Sequence, residues 1–169
     1  NALMKLGERF YLEIIAIDPD GAKPGRPRWF DLDSGDLQAD LLERPRLVHW
    51  VARTLDLERV VTQCGYAPGP ILPFERGAFR WRITVPDDGR PPGHGVLPTL
   101  IQWDVPEHPA DALPASGVAL AELAASHPEP APVRRALAKL GLEEAIHVTF
   151  DREARLAAML RTPRGLVAL

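Results

Sequence analysis

Apolar positions along this chain repeat with two different periods. Leu57, Val60, Val61 and Cys64 recur at i, i+3, i+4 and i+7, and Val133, Ala136, Leu137 and Leu140 repeat the same spacing. That spacing puts each set on one face of a helix. Thr54 or Asp56 is placed to cap the first helix at its start, and Gly65 and Gly141 suit the left-handed position after a helix end. Elsewhere the pattern is that of strands: Phe10–Ile17, Leu47–Arg53, Ile71–Phe74, Phe79–Val85, Thr99–Val105, Val118–Ala125, Ile146–Phe150, Leu156–Leu160 and Leu166–Leu169. Thr162-Pro163-Arg164-Gly165 reads as a turn.

These elements fall into a repeated order. Residues 1–17 read as two strands joined through Leu6-Gly7-Glu8-Arg9, residues 46–105 as one complete β-α-β-β-β unit, and residues 116–169 as a second. A polar, Pro- and Ala-rich linker, 106–116, joins the units, and the Pro86–Pro98 segment is a Gly/Pro-rich hinge. Such an internal repeat predicts one α+β domain over 1–169, with mostly antiparallel sheets and outer helices. Residues 18–45 form a long connection. Loops beyond ~12–15 residues are usually functional or disordered. The Trp29-Phe30 pair argues that this one packs on something, either the outside of a sheet or a site beneath a lid.

Composition narrows the function classes. A hydrophobic content of 46%, a charged content of 25% and a net charge of −3 describe an ordinary globular chain. That charge gives no case for nucleic acid or an anionic membrane as partner. Cys64 is the only cysteine, so no internal disulfide can form, and no apolar run approaches the ~20 residues of a membrane helix. With no visible signal peptide, a cytoplasmic location is expected. Arginine far outnumbers lysine, which reads first as coding bias.

Glu13 stands out. It is a carboxylate inside the run Phe10-Tyr11-Leu12-Glu13-Ile14-Ile15-Ala16-Ile17. Burying it alone would cost several kcal/mol. It therefore lies at a wet edge or has a partner: a metal, an arginine or a polar ligand.

The opening segment, Asn1-Ala2-Leu3, Leu6-Gly7 and Tyr11-Leu12-Glu13-Ile14-Ile15-Ala16, resembles the N-A-L-x-x-L-G…Y-L-E-L-I-A signature of the glyoxalase-like domain group of the vicinal oxygen chelate superfamily. Arg80-Trp81-Arg82, Leu97-Pro98…Ile101-Gln102-Trp103 and Thr162-Pro163-Arg164-Gly165 carry the resemblance along the chain. It implies βαβββ modules paired into a curved sheet around a cavity. It also implies that the chain begins inside a first module, 1–17 being that module's tail, with a strand and helix expected before Asn1. An unpaired apolar edge at Phe10–Ile17 is an association hazard. It would stay open, or pair with a preceding segment or with another chain as a homodimer.

The resemblance further implies a divalent-metal site at the opening and closing strands of each module. Glu13 takes the closing-strand position of the first module. His49 takes the opening-strand position of the second, six residues before Asp56 as in the H-V-x-x-x-V-x-D pattern of relatives. The fourth position falls at Gln102. A His and carboxylate set suits Zn²⁺, Mn²⁺ or Fe²⁺. Glutamine is a poor ligand, so the site binds metal weakly, binds it through an unusual set that includes Asp104 on the same strand face, or does not bind it. Glu13, His49 and Gln102 are expected to share one cavity.

Arg53 shares a strand face with His49 and is placed to hold an anionic group by its two-pronged guanidinium. Trp103, with Trp50 and Trp81, either walls an apolar pocket or packs in the core. Arg80 and Arg82 read as a solvated outer face, His147 as solvent-facing and Cys64 as inert core. His94, His108 and His127 lie beside Gly or Pro in loops and carry no assigned role. Three functions remain open. One is a metal-assisted lyase, isomerase or dioxygenase with Glu13 and His49 as ligands. The second is a metal-free module that binds a small molecule, and the third is an interaction protein with a degenerate cavity.

Overall fold

The computed structural model describes residues 1–169 and is a mixed α+β fold. Strands β1 (Ala2–Gly7) and β2 (Phe10–Ile14) form a two-stranded antiparallel hairpin. Helix α1 (Gly35–Glu43) follows the long connection. The first unit then runs β3 (Val51–Arg53), α2 (Leu57–Gln63), β4 (Ile71–Arg76), β5 (Phe79–Thr84) and β6 (Thr99–Trp103). Its sheet has the order β3-β6-β5-β4, and only the β3–β6 pair is parallel.

Period-2 alternation gives this sheet two different faces. Leu72, Phe74, Trp81, Ile83, Ile101 and Trp103 make an aromatic-rich face, over which Trp29 packs. Leu100 lies on the other face, where Leu57 and Cys64 of α2 and its C-cap are sealed from solvent against it. The helix forms where the apolar spacing places it. Asp56 caps it by accepting the Arg59 N–H at 3.2 Å, and Gly65 follows at φ +81°. Cys64 donates to the Val61 and Tyr66 carbonyls, a core role.

The strand expected over Leu47–Arg53 is shorter than its pattern. Residues 47–50 are held by the 92–99 segment instead of by a continuous ladder. Trp50 donates its indole N–H to the Val96 carbonyl at 2.7 Å, and Thr99 N–H donates to the Trp50 carbonyl at 3.2 Å. The approach is so close that a Cβ on Gly95, at φ +94°, would lie 2.3 Å from the Val48 oxygen. Only glycine fits there.

The second unit is β7 (Ala119–His127), α3 (Pro130–Lys139), β8 (His147–Phe150), β9 (Arg155–Thr162) and β10 (Gly165–Ala168). It repeats the element order of the first unit but not its strand order, which here is β10-β9-β7-β8. The units differ in what the opening strand meets: β7 pairs with both β8 and β9, whereas β3 lies at a sheet edge and pairs with β6 alone. Pro163-Arg164 alone link β9 to β10, which lies beside β9 as a hairpin. In the first unit β6 lies between β3 and β5. The largest core cluster joins the units: Val133, Ala136 and Leu137 of α3 pack with Ala125, Val148 and Leu156, and with Val96 and Leu97 of the first unit.

Residues 18–45 are a strap that contains a helix. Helix α1 is not evident from periodicity; Ser34 caps it by accepting the Leu37 N–H at 3.3 Å. Ahead of it, the Trp29 ring meets the Phe74 ring edge-on at 4.7 Å, and Phe30 lies 5.1 Å from the His49 ring. Arg26 donates to the carbonyls of Val85 and Pro86, and Asp31 N–H to that of Gly89. The strap thus lies on the aromatic face of the sheet. No helix is long and apolar enough to cross a membrane.

Candidate functional site

The parallel strands β3 and β6 end side by side, and the chain leaves both at the same edge. Beyond their ends lies a groove of about 460 Å³, open to solvent. Arg53 closes β3 and Trp103 closes β6, so strand termination places both at the mouth. Gln102 lines the same groove, with Arg9 from the β1–β2 turn and His108 from the segment after β6. The structure therefore brings Arg53, Gln102 and Trp103 together. Glu13 and His49 are not among the lining residues.

Each polar group of the groove has a definable state. His108 is buried, with its ring 5.3 Å from that of Trp103 and 5.6 Å from that of Tyr11. Its Nδ1 accepts the Ala110 N–H at 3.2 Å, while its own backbone N–H donates to Asp111 at 3.0 Å, a reciprocal cap on the short turn Pro109–Asp111. Burial lowers the pKa of His108. The Asp111 charge opposes that shift, and the Arg53 and Arg9 charges add to it. Arg9 is committed to Asp111 at 3.4 Å and to the Pro106 carbonyl at 3.0 Å. Asp104 is committed to Arg82, which also pairs with Glu58 of α2. Arg82 is thus no bare outer-face cation. Arg53 is exposed and makes no ion pair in the chain.

Gln102 has a structural duty. Its Oε1 accepts the Leu57 N–H at 2.9 Å, satisfying one of the free donors at the start of α2. This contact puts Gln102 on the helix-covered side of the sheet, opposite Ile101 and Trp103.

His49 lies on the other face, beneath Phe30. Its Nε2 accepts the Thr99 N–H at 3.1 Å, with the Thr99 hydroxyl at 2.9 Å, so its proton sits on Nδ1 and points at the Gly95 carbonyl at 3.2 Å. Removal from water pushes its pKa down to about 4, partly offset by the Gly95 carbonyl. Both ring nitrogens are occupied, which leaves no lone pair for a metal.

Glu13, on β2, accepts from the Asn1 side-chain amide at 2.6 Å and is partly exposed. It shares a strand face with Tyr11, whose pKa is raised to about 12 by burial and, second, by the Glu13 charge. No group of three or more His, Cys, Asp or Glu side chains is arranged to hold a metal ion. Glu13, His49 and Gln102 are each engaged in a different hydrogen-bonded contact, on different elements. The residues present do not fit the implied metal.

His108 is the groove residue that sequence reasoning set aside. Its signal was there: a polar residue before Pro109, with an acid three positions on at Asp111, is the pattern of a capped turn. A histidine in such a turn has one ring nitrogen tied to backbone and the other free. Trp81 and Trp103 lie on one face, 5.4 Å apart, while Trp50 packs into the other core.

The family model described as "Glyoxalase-like domain" matches residues 1–141. The chain belongs to that family, and with it to the vicinal oxygen chelate superfamily. Strands β8 to β10 lie beyond the matched residues. No curated protein and no solved structure matches the chain.

Proposed function

We propose that this member of the glyoxalase-like domain family is a small-molecule binding module whose ligand sits in the groove at the ends of β3 and β6. The observation that carries this reading is the convergence of Arg53, Gln102 and Trp103, from two strands, on one open groove of about 460 Å³. That is a suitable volume for a small organic molecule. Trp103 supplies a flat apolar wall, and Arg53 supplies a charge with no partner in the chain. Metal-assisted lyase, isomerase or dioxygenase chemistry needs a ligand set that these residues do not form, so this reading routes no step through a metal.

Thermal unfolding of the full chain against a panel of small organic molecules tests the proposal. A ligand of the groove raises Tm, and Trp103→Ala weakens its binding about tenfold through the lost aromatic contact. Zn²⁺, Mn²⁺ or Fe²⁺ alone gives no specific rise. Binding that ignores Trp103→Ala would move the site elsewhere. A saturable, metal-specific rise in Tm would favour the metal-assisted reading instead.

A further inference from the structure

We propose that the groove recognises a single carboxylate, held between the Arg53 guanidinium and the Nε2–H of His108. This rests on the small-molecule reading above and names the chemical class of the ligand.

Three features of the chain carry it. First, the tautomer of His108 is fixed by its turn. Nδ1 accepts the Ala110 N–H, so the one proton of the neutral ring must be on Nε2. Nε2 has no partner in the chain and is not sealed from solvent. His108, which lines the groove, therefore carries an N–H donor that no group of the chain accepts.

Second, Arg53 is the groove's uncommitted cation. Arg9 is held by Asp111, and neighbouring Arg82 by Asp104 and Glu58. A free guanidinium beside a fixed N–H donor suits a planar carboxylate.

Third, the charge balance allows only one negative charge. The acids of the lining are Asp104, which Arg82 neutralises, and Glu107, which is exposed and unpaired. Glu107 disfavours a second charge on the ligand, as in a phosphate dianion. Trp103, edge-on to His108, gives the organic part of the acid an apolar surface. Burial is the main cause of the lowered His108 pKa, and the Arg53 charge adds to it, which shows that Arg53 acts on the His108 ring.

Benzoate, benzamide and phenyl phosphate serve as matched probes on the full chain. Binding is followed by tryptophan fluorescence, and the His108 pKa by NMR of the imidazole C–H. Benzoate is expected to bind at least about tenfold more tightly than benzamide, as a charge-assisted contact predicts, and more tightly than phenyl phosphate. It is expected to raise the His108 pKa by neutralising the neighbouring cation. Arg53→Gln is expected to abolish both effects while leaving the Tm of the free protein unchanged, because Arg53 is exposed.

If benzamide binds as well as benzoate, or Arg53→Gln changes nothing, the carboxylate inference falls and the small-molecule groove stands. Tighter binding of phenyl phosphate overturns the single-charge argument. If none of the probes perturbs Trp103 or His108, the groove reading falls with it.

Discussion

The side-chain oxygen of Gln102 accepts the backbone N–H of Leu57 at 2.9 Å and so ties the last strand of the first sheet to the first turn of α2. The residue expected at the fourth ligand position fastens a helix start and also lines the groove. Gln102→Leu removes the acceptor and leaves that N–H unsatisfied, which costs about 1 kcal/mol, the usual scale for a lost cap. Gln102→Glu keeps the acceptor beside the positive helix end but faces Asp104, whose carboxylate lies 3.4 Å from the Gln102 amide nitrogen. The expected result is a smaller stability change for Glu than for Leu, and no gain in divalent-metal affinity for either. Urea unfolding with and without Mn²⁺ measures both.

His49 makes stability depend on pH. Its folded pKa is about 4, against an ordinary value of 6.5. The unfolded chain therefore binds the proton more readily in that window. The contribution of a neutral His49 is complete above pH 6.5. It is lost as the pH falls from 6.5 towards 4. At pH 5 the loss is about 2 kcal/mol from this group alone, and the lowered pKa of His108 acts in the same direction. Urea midpoints at pH 7 and pH 5 should differ clearly in the natural chain. The difference should shrink in His49→Gln, and an unchanged difference would show that His49 is not the titrating group.

Gly95 is required by backbone contact. Its φ is +94°, and a methyl group added there would lie 2.3 Å from the Val48 oxygen. Gly95→Ala is therefore strained twice, by its dihedral angle and by a clash with main chain. A loss of about 3 kcal/mol or more is expected, seen as a fall in Tm. The loosened 92–99 segment would also release His49, whose Nδ1–H points at the Gly95 carbonyl. The His49 pKa should then rise towards 6.5, which NMR titration reads directly.

Much of the fold was legible in the sequence because it rests on local periodicity. The faces of α2 and α3, the alternation of β5 and β6, and the core place of Cys64 all follow from spacing within a few residues. Helix α1 was hidden because its start depends on one Ser34 cap and it buries no residue fully, so it leaves little apolar pattern. The family signature around Glu13 was also local, and it identified the family over residues 1–141.

The sequence by itself determined which segments become strands and helices, which of their faces are apolar, and which family the chain belongs to. Tertiary structure alone decided what those faces meet. The place of β7, between β8 and β9 where β3 lies at a sheet edge, is a pairing of distant segments that spacing does not encode. Glu13, His49 and Gln102 turned to Asn1, Thr99 with Gly95, and Leu57, partners that lie 12, 50 and 45 residues away in the first, second and third case. His108, set in an unremarked turn, reached the groove beside Arg53 and Trp103. Periodicity reports the direction of a side chain from its own backbone. The partner it finds depends on which distant strand end arrives beside it, and that is fixed only when the sheets close.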